Sequence, residues 1–345
     1  MLTKMAQETR EIPQVVAKQL AANAMLWEAL AVELKARDIH FVVTVARGSS
    51  DHACTFAKYL FETYLGLPVA SAAPSINTIY QGKLKLKHAL VIGVSQSGQS
   101  PDICEVLKHA KEQGALTVAV VNQSESPLAK LADHVIPLLA GPELAVAATK
   151  SYVGSLAALV QGVAICVQDH VLLNALKQLP ERMEQALNVK WDLALSTLHH
   201  VQDILTIGRG FGFPIAQEAA LKFKETCRLH AEPFSSAEVM HGPFALIQKA
   251  FPILQFAQND ATLSGSLTLA EKMSQLGSHV LLAIPEGLAP VPAGVQALPL
   301  PSSLHGTLDP LVAIVAFYGM VEKLALLRGF NPDKPENLKK VTETR

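Results

Sequence analysis

The feature that most constrains this chain is that it repeats. Four landmarks recur at one offset of 162 residues: Arg47-Gly48 returns as Arg209-Gly210, the apolar run around Val91 as the run around Ile253, Thr117 as His279, and Val135 as Ala297. Landmarks kept at one spacing without gaps imply two copies of one fold. At 345 residues the chain is long enough for two domains with separate cores. Within the first copy, short apolar runs (FVVTVA at 41–46, ALVIGV at 89–94, TVAVV at 117–121, HVIPL at 134–138) read as strands. They do not alternate and are rich in Val and Ile, as strands covered on both faces are. The stretches between them, such as 53–64 and 100–113, have helical length and period. The expected fold class is therefore α/β: two tandem domains, each a doubly wound parallel sheet flanked by helices. The expected domains are 1–175 and 176–330, joined near residues 168–190. A polar segment beginning NPDKPEN, 331–345, lies outside both copies.

Composition narrows the class. Net charge is −1, so nothing marks a nucleic-acid or membrane-surface binder. The longest apolar run, 153–167, is broken by Ser155, Gln161 and Gly162 and falls short of the roughly 20 residues that span a bilayer. A buried helix is expected there. The N-terminus mixes both charge signs and does not read as a signal peptide. Cys54, Cys104, Cys166 and Cys227 form no CxxC pair and read as reduced thiols of a cytoplasmic protein, with no metal site.

In an open α/β sheet, ligands bind where strands end and helices begin. Two such loops in the first copy carry hydroxyls: Gly48-Ser49-Ser50 and Ser95-Gln96-Ser97-Gly98-Gln99-Ser100. Hydroxyls, backbone N–H groups and a helix start together suit a phosphate dianion. Helix capping is the plainer alternative, but a cap needs one serine rather than a cluster. No GxxxxGK[ST] is present, so a nucleoside triphosphate is not implied. The second copy has AQNDAT at 257–262 in place of SQSGQS; serines are lost and Asp260 appears, so one phosphate site per chain is expected. Gly208-Arg209-Gly210 superficially resembles a dinucleotide fingerprint, but its third glycine would fall on Phe213.

The second copy also carries Glu218, Lys222 and Glu225 at i, i+4 and i+7, on one face of a helix that follows Pro214. A solvated face with ion pairs is one reading. Glu232, Glu238, His230 and His241 follow closely, which favours proton transfer instead.

The segments RGSSDHA, SQSGQS, ELAVAATKSY, GRGFGFPIAQEAALKFKETCRLHAE, EVMHGPFALI and NPDKPENLKK, in this order, resemble the sugar isomerase (SIS) family and within it the isomerase half of glucosamine-6-phosphate synthase. The resemblance implies a sugar phosphate held by Ser49, Ser50, Ser95, Gln96, Ser97, Ser100 and Val146. It makes Glu225 the base between C1 and C2, with Glu218 and Lys222 in support. It makes His241 the ring-opening acid/base, contributed by the neighbouring subunit of a homodimer, and Lys340 the tail lysine that meets the sugar carbonyl as the tail closes the site. Arg47 stands where the synthase has cysteine, and Ala148 where it has serine. The synthase's glutaminase half needs a cysteine nucleophile at its N-terminus, where this chain has Leu2. The resemblance therefore implies an enzyme like the SIS-type glucosamine-6-phosphate deaminase, giving fructose 6-phosphate and ammonia without cofactor or metal. A fructosamine-6-phosphate deglycase, a galactosamine-6-phosphate deaminase and a non-catalytic sugar-phosphate sensor stay open as alternatives.

Overall fold

The structure is a computed structural model and describes residues 2–340. It contains two five-stranded sheets in which every pairing is parallel. The first is built from β1 (Phe41–Val45), β2 (Val69–Ser71), β3 (Ala89–Ser95), β4 (Leu116–Val121) and β5 (His134–Pro137). The second is built from β6 (Asp203–Gly208), β7 (His230–Ser235), β8 (Pro252–Phe256), β9 (His279–Pro285) and β10 (Gln296–Leu300). Their orders, β2-β1-β3-β4-β5 and β7-β6-β8-β9-β10, are the same topology. The repeat in the sequence is thus a repeat of fold. The four apolar runs of the first copy are β1, β3, β4 and β5, and β3 and β4 are buried along their whole length. The edge strands β2 and β7 carry no such signal. Two of the three β2 residues are exposed, and β7 includes His230, Glu232 and Pro233.

The chain divides into two compact units that do not follow a single cut. One comprises residues 14–143, 150–177 and 339–345, of which the last described residue is Lys340; the other comprises 1–13, 144–149 and 178–338. In the first unit the core lies under β1, β3 and β4 and the helix Pro101–Glu112, with Val43, Val91, Val106, Leu107 and Leu128 buried together. The apolar run 153–167 forms most of the helix Lys150–Val167, and 83% of it is buried. In the second unit the helix Asp309–Leu327 is more apolar still and 78% buried. Both helices are long and apolar enough to cross a membrane, yet both are filled in by protein.

Residues 331–338 are fastened rather than loose. The Asp333 carboxylate accepts the backbone N–H groups of Lys4 and Met5, both at 2.8 Å. The final five residues of the tail lie outside the described residues.

The helix Ile12–Ala36 meets the helix Lys150–Val167 through small residues. Gln19 Nε2 donates to the Gly154 carbonyl at 2.8 Å. A Cβ on Gly162 would lie 2.5 Å from the Trp27 ring, closer than atoms can approach. Alanine is the better helix former by about 1 kcal/mol, but overpacking of this kind costs roughly 1–3 kcal/mol. Gly162→Ala should therefore lower the urea midpoint of the first unfolding transition. An unchanged or raised midpoint would mean that Trp27 is not packed tightly against this helix.

Candidate active site

In a sheet of order 2-1-3-4-5 the crevice opens between the carboxyl ends of the first and third strands, where the connections diverge. The two hydroxyl loops follow β1 and β3 and so flank that crevice. Their backbones are made for close approach. Gly48 has φ 56° and ψ −133°, which side chains do not tolerate. Gly98 has φ 63°, and a Cβ there would lie 2.1 Å from Ser126 Oγ. Ser95 ends β3, nearly buried, and its Oγ accepts the Gly98 N–H at 2.9 Å. Ser97 Oγ accepts the Gln99 N–H at 3.3 Å. Ser49, Ser50, Gln96, Ser97 and Ser100 are half-buried at the surface of the loops.

Helix capping does not engage the Ser100 hydroxyl. Ser100 occupies the N-cap of the helix Pro101–Glu112, yet makes no side-chain cap hydrogen bond. The cap of the helix Ser49–Leu60 is Gly48, which has no hydroxyl. Beside the loops, Arg47 reaches the buried carboxylate of Asp102 at 2.8 Å.

The equivalent crevice in the second unit is closed by its own side chains. Asp260 accepts the Thr262 N–H at 2.7 Å and the Gln258 side-chain N–H at 2.9 Å. Gln258 also donates to the Arg209 carbonyl at 2.8 Å, and a Cβ on Gly212 would lie 2.6 Å from Gln258 Oε1. Beneath them Asp309 is buried and accepts from the Asn259 N–H and the Ser303 hydroxyl, both at 2.9 Å. Burial pushes the Asp309 carboxyl up to about 6, against the opposing pull of those two hydrogen bonds. Acid and amide fill the space that hydroxyls line in the first copy.

The helix Phe213–Cys227 starts on Pro214 and buries Ala216, Ala219, Ala220 and Phe223. Glu218 and Lys222 share that buried face and have no exposed side-chain surface. Lys222 Nζ lies 3.1 Å from Glu218 Oε1 and 2.7 Å from Glu225 Oε2. Tyr318, from the helix Asp309–Leu327, donates its hydroxyl to Glu218 Oε1 at 3.1 Å. Burial works against the Lys222 charge, but the two carboxylates outweigh it and hold its pKa above the usual lysine value. A solvated ion-pair face is excluded by this burial. Glu225, 19% exposed, is the one member that reaches out. It lines a cavity of about 600 Å³ with Arg228, Phe330, Lys334 and Glu336. Arg228 pairs with Glu336 and stacks 5.0 Å from the Phe330 ring centre. The tail residues in this wall carried no signal of contact with Glu225 in the sequence.

The remaining candidates separate. His230 belongs to β7 and pairs with Asp203 at 2.9 Å on an exposed surface. Glu232 and Glu238 are exposed. His241 is exposed just after the turn Glu238–Met240, and no hydrogen bond joins it to Glu225 among the described residues. Val146 donates its N–H to the Asp333 carbonyl at 3.2 Å. Lys340 is half-buried, with Nζ 3.2 Å from Glu143 Oε2, whereas Lys339 is exposed. Glu143 also accepts the Ser151 N–H at 3.1 Å and its hydroxyl at 2.7 Å, at the start of the helix Lys150–Val167. Neither Glu143 nor Tyr318 stood out in the sequence; each is recognisable only by the partner it holds. Among the described residues, Asp38, His40 and His88 have donor atoms within 4.8 Å of one another. They sit on the surface where β1 and β3 begin, away from the hydroxyl loops, and Asp38 already bonds His40 at 2.9 Å.

Two copies of a 2-1-3-4-5 sheet, with hydroxyl loops at one crevice and a buried acid–lysine pair behind one outward carboxylate, define the tandem SIS architecture. Comparison with known proteins agrees. The SIS domain profile matches residues 36–164 and 197–286, and the chain belongs to the SIS domain family. It is 30% identical over 350 residues to the isomerizing glutamine–fructose-6-phosphate aminotransferase of Thermus thermophilus, and 33% identical over 345 residues to that of Methanothermobacter thermautotrophicus. Each match covers 97% of this chain but only 58% and 56% of the relative, so the chain spans little more than half their length. Among solved structures, a protein of Silicibacter pomeroyi DSS-3, provisionally assigned as a phosphosugar isomerase, is 42% identical with a TM-score of 0.91, covering 96% of this chain and all of that one. The C-terminal domain of the Francisella tularensis glucosamine-fructose-6-phosphate aminotransferase is 25% identical with a TM-score of 0.86, covering 97% and 98%. The glucosamine-6-phosphate deaminase of Thermotoga maritima, 21% identical with a TM-score of 0.73 over 99% of this chain and all of that one, shares the fold.

Removing the lysine charge should be severe, because Glu218, with no exposed side-chain surface, would lose the ammonium 3.1 Å away. Lys222→Met is expected to cost about 3–5 kcal/mol of stability. Glu218→Gln, which keeps a hydrogen-bonding partner for Tyr318, should cost less. Equal losses in denaturant titrations of the two variants would mean that the lysine's charge is not what matters.

Proposed function

We propose that this protein is an aminosugar-phosphate deaminase/isomerase of SIS type, converting glucosamine 6-phosphate to fructose 6-phosphate and ammonia. The observation that carries this reading is the Glu218–Lys222–Glu225 set, which leaves one carboxylate, Glu225, reaching out from a buried cation. A carboxylate held this way is suited to take a proton from carbon and return it one carbon away. In the proposed reaction Ser49, Ser50, Ser95, Gln96, Ser97 and Ser100 hold the sugar phosphate, and Val146 is a further contact to the substrate. His241, contributed by the partner subunit of a homodimer, opens the ring. Glu225 removes the C2 proton of the open-chain aldehyde, giving an enaminol. Its return to C1 leaves an imine at C2, and water converts this to the C2 ketone with release of ammonia. The carbonyl and imine are the electron sink, so the steps need neither metal nor organic cofactor. A cytoplasmic setting suits a phosphorylated substrate and four free cysteines.

Lys340 acts in this scheme by bringing the tail over the sugar. Its pairing with buried Glu143 supports a role different from that of exposed Lys339. Lys340→Ala should lower kcat by roughly 10-fold or more, the cost of losing a group that fixes substrate geometry, while Lys339→Ala should be mild. Equal effects in steady-state assays would remove Lys340 from the mechanism.

The decisive assay measures ammonia release from glucosamine 6-phosphate, galactosamine 6-phosphate and fructoselysine 6-phosphate, for wild type and Glu225→Gln. We expect the first substrate to be preferred, and the variant to lose about 10²–10⁴-fold in kcat. Preference for the second sugar would make the protein a galactosamine-6-phosphate deaminase. Amino-acid release from the third would make it a deglycase, and tight binding without turnover a sensor.

A further inference from the structure

Arg47 is the last residue before the first hydroxyl loop. Its Nε and Nη2 donate to one oxygen, Oδ2, of Asp102, at 3.1 and 2.8 Å. Asp102 is the second residue of the helix Pro101–Glu112, two positions beyond Ser100, and is 1% exposed. Its other oxygen accepts the Ile103 N–H at 2.9 Å. The ion pair therefore runs from the loop after β1 to the helix start after β3, across the crevice that the two loops flank.

Two physical consequences meet here. A carboxylate at a helix N-terminus is favourable in itself, but it stands where a phosphate dianion would be received and would repel it. Arg47 offsets that charge. The guanidinium is also engaged along one edge only: Nη1 takes no part in the Asp102 bonds, and the side chain is 50% exposed. Arg47 is the only Lys or Arg in residues 47–52 and 95–102. Hydroxyls and backbone N–H groups supply hydrogen bonds there, and Arg47 alone of these residues supplies a permanent positive charge.

We propose that Arg47 is the cation of the phosphate site, tethered by Asp102 so that its free edge faces the 6-phosphate of the substrate. This deepens the reading of the two hydroxyl loops as the phosphate site and rests on it. An arginine held along one edge loses little side-chain freedom when its other edge binds an oxyanion, so its contact is strong for its size.

The test is calorimetric titration of the full chain with sorbitol 6-phosphate, which has neither carbonyl nor amine, and with inorganic phosphate. Losing a charge-assisted hydrogen bond should raise the Kd of Arg47→Ala about 10- to 100-fold. Asp102→Asn, which removes the repelling acid but keeps an amide oxygen to accept from Arg47, should bind as well as wild type or better. That contrast separates contact from scaffolding. If Arg47 only staples the two loops, breaking the pair from either end will weaken binding equally, and the proposal falls. It falls also if Arg47→Ala binds like wild type. Melting temperatures establish that the variants are folded. Arg47→Gln, which keeps a donor toward Asp102 without the charge, gives the same comparison should the alanine variant not fold. If wild type binds neither ligand, the phosphate-loop reading fails and takes this one with it. If wild type binds, Ser100→Ala weakens binding and Arg47→Ala does not, only the role of Arg47 is lost.

Discussion

A lysine ammonium with no exposed surface is a costly group, and its neighbours in the second unit offset that cost. Removing such a charge from water is worth several kcal/mol even after relaxation. Lys222 is tolerated because Glu218 and Glu225 approach it within 3.1 and 2.7 Å. That arrangement requires the helix Phe213–Cys227 to be seated against the helix Asp309–Leu327, where Tyr318 supplies the hydroxyl that Glu218 accepts. Phe317 meets Phe223 edge-on, 5.1 Å away, on the same packed face. The set is asymmetric. One carboxylate is sealed in, the lysine is held charged, and the other carboxylate is left at the rim of a cavity.

The two copies share a topology and divide its uses. In the first, glycines and serines line the loops after β1 and β3. In the second, Gln258 donates to Asp260 and to the Arg209 carbonyl, and Asp309 accepts from the Asn259 N–H, so that side chains occupy the corresponding place. The notable carboxylate of the second copy is nowhere near that place. Glu225 lies at the far end of the helix that follows β6, where the chain turns back to enter β7. A helix after a parallel strand runs antiparallel to it, so its last turn lies at the opposite edge of the sheet. The rule that places ligands at strand ends thus finds the hydroxyl loops and misses Glu225.

The tail gains meaning in the same way. Residues that read as a polar terminus are held by Asp333 on the backbone of Lys4 and Met5, and by Glu336 on Arg228. Lys340, beyond them, meets Glu143, a carboxylate that also secures the start of the helix Lys150–Val167. A short, charged segment with little apolar surface gives no periodicity to read; it is ordered by the partners it finds.

The sequence by itself determined the α/β class, the two copies, the strands β1, β3, β4 and β5 of the first sheet and the helices between them. Buried parallel strands must be apolar throughout, and a repeat keeps its spacing whether or not its partners are known. It also marked the loops at 48–50 and 95–100 and the face bearing Glu218, Lys222 and Glu225, because both signals are local in the chain. Only the tertiary structure decided that Lys222 is sealed from water, that His230 is taken by Asp203, and that Asp260 closes the second crevice. Only the fold assigned Arg47 to Asp102, 55 residues away, Glu218 to Tyr318, 100 residues away, and Glu143 to Lys340, 197 residues away. Charge and hydrogen-bonding capacity are visible in any sequence, but burial and pairing are properties of distance, and distance is set when the helices and sheets pack.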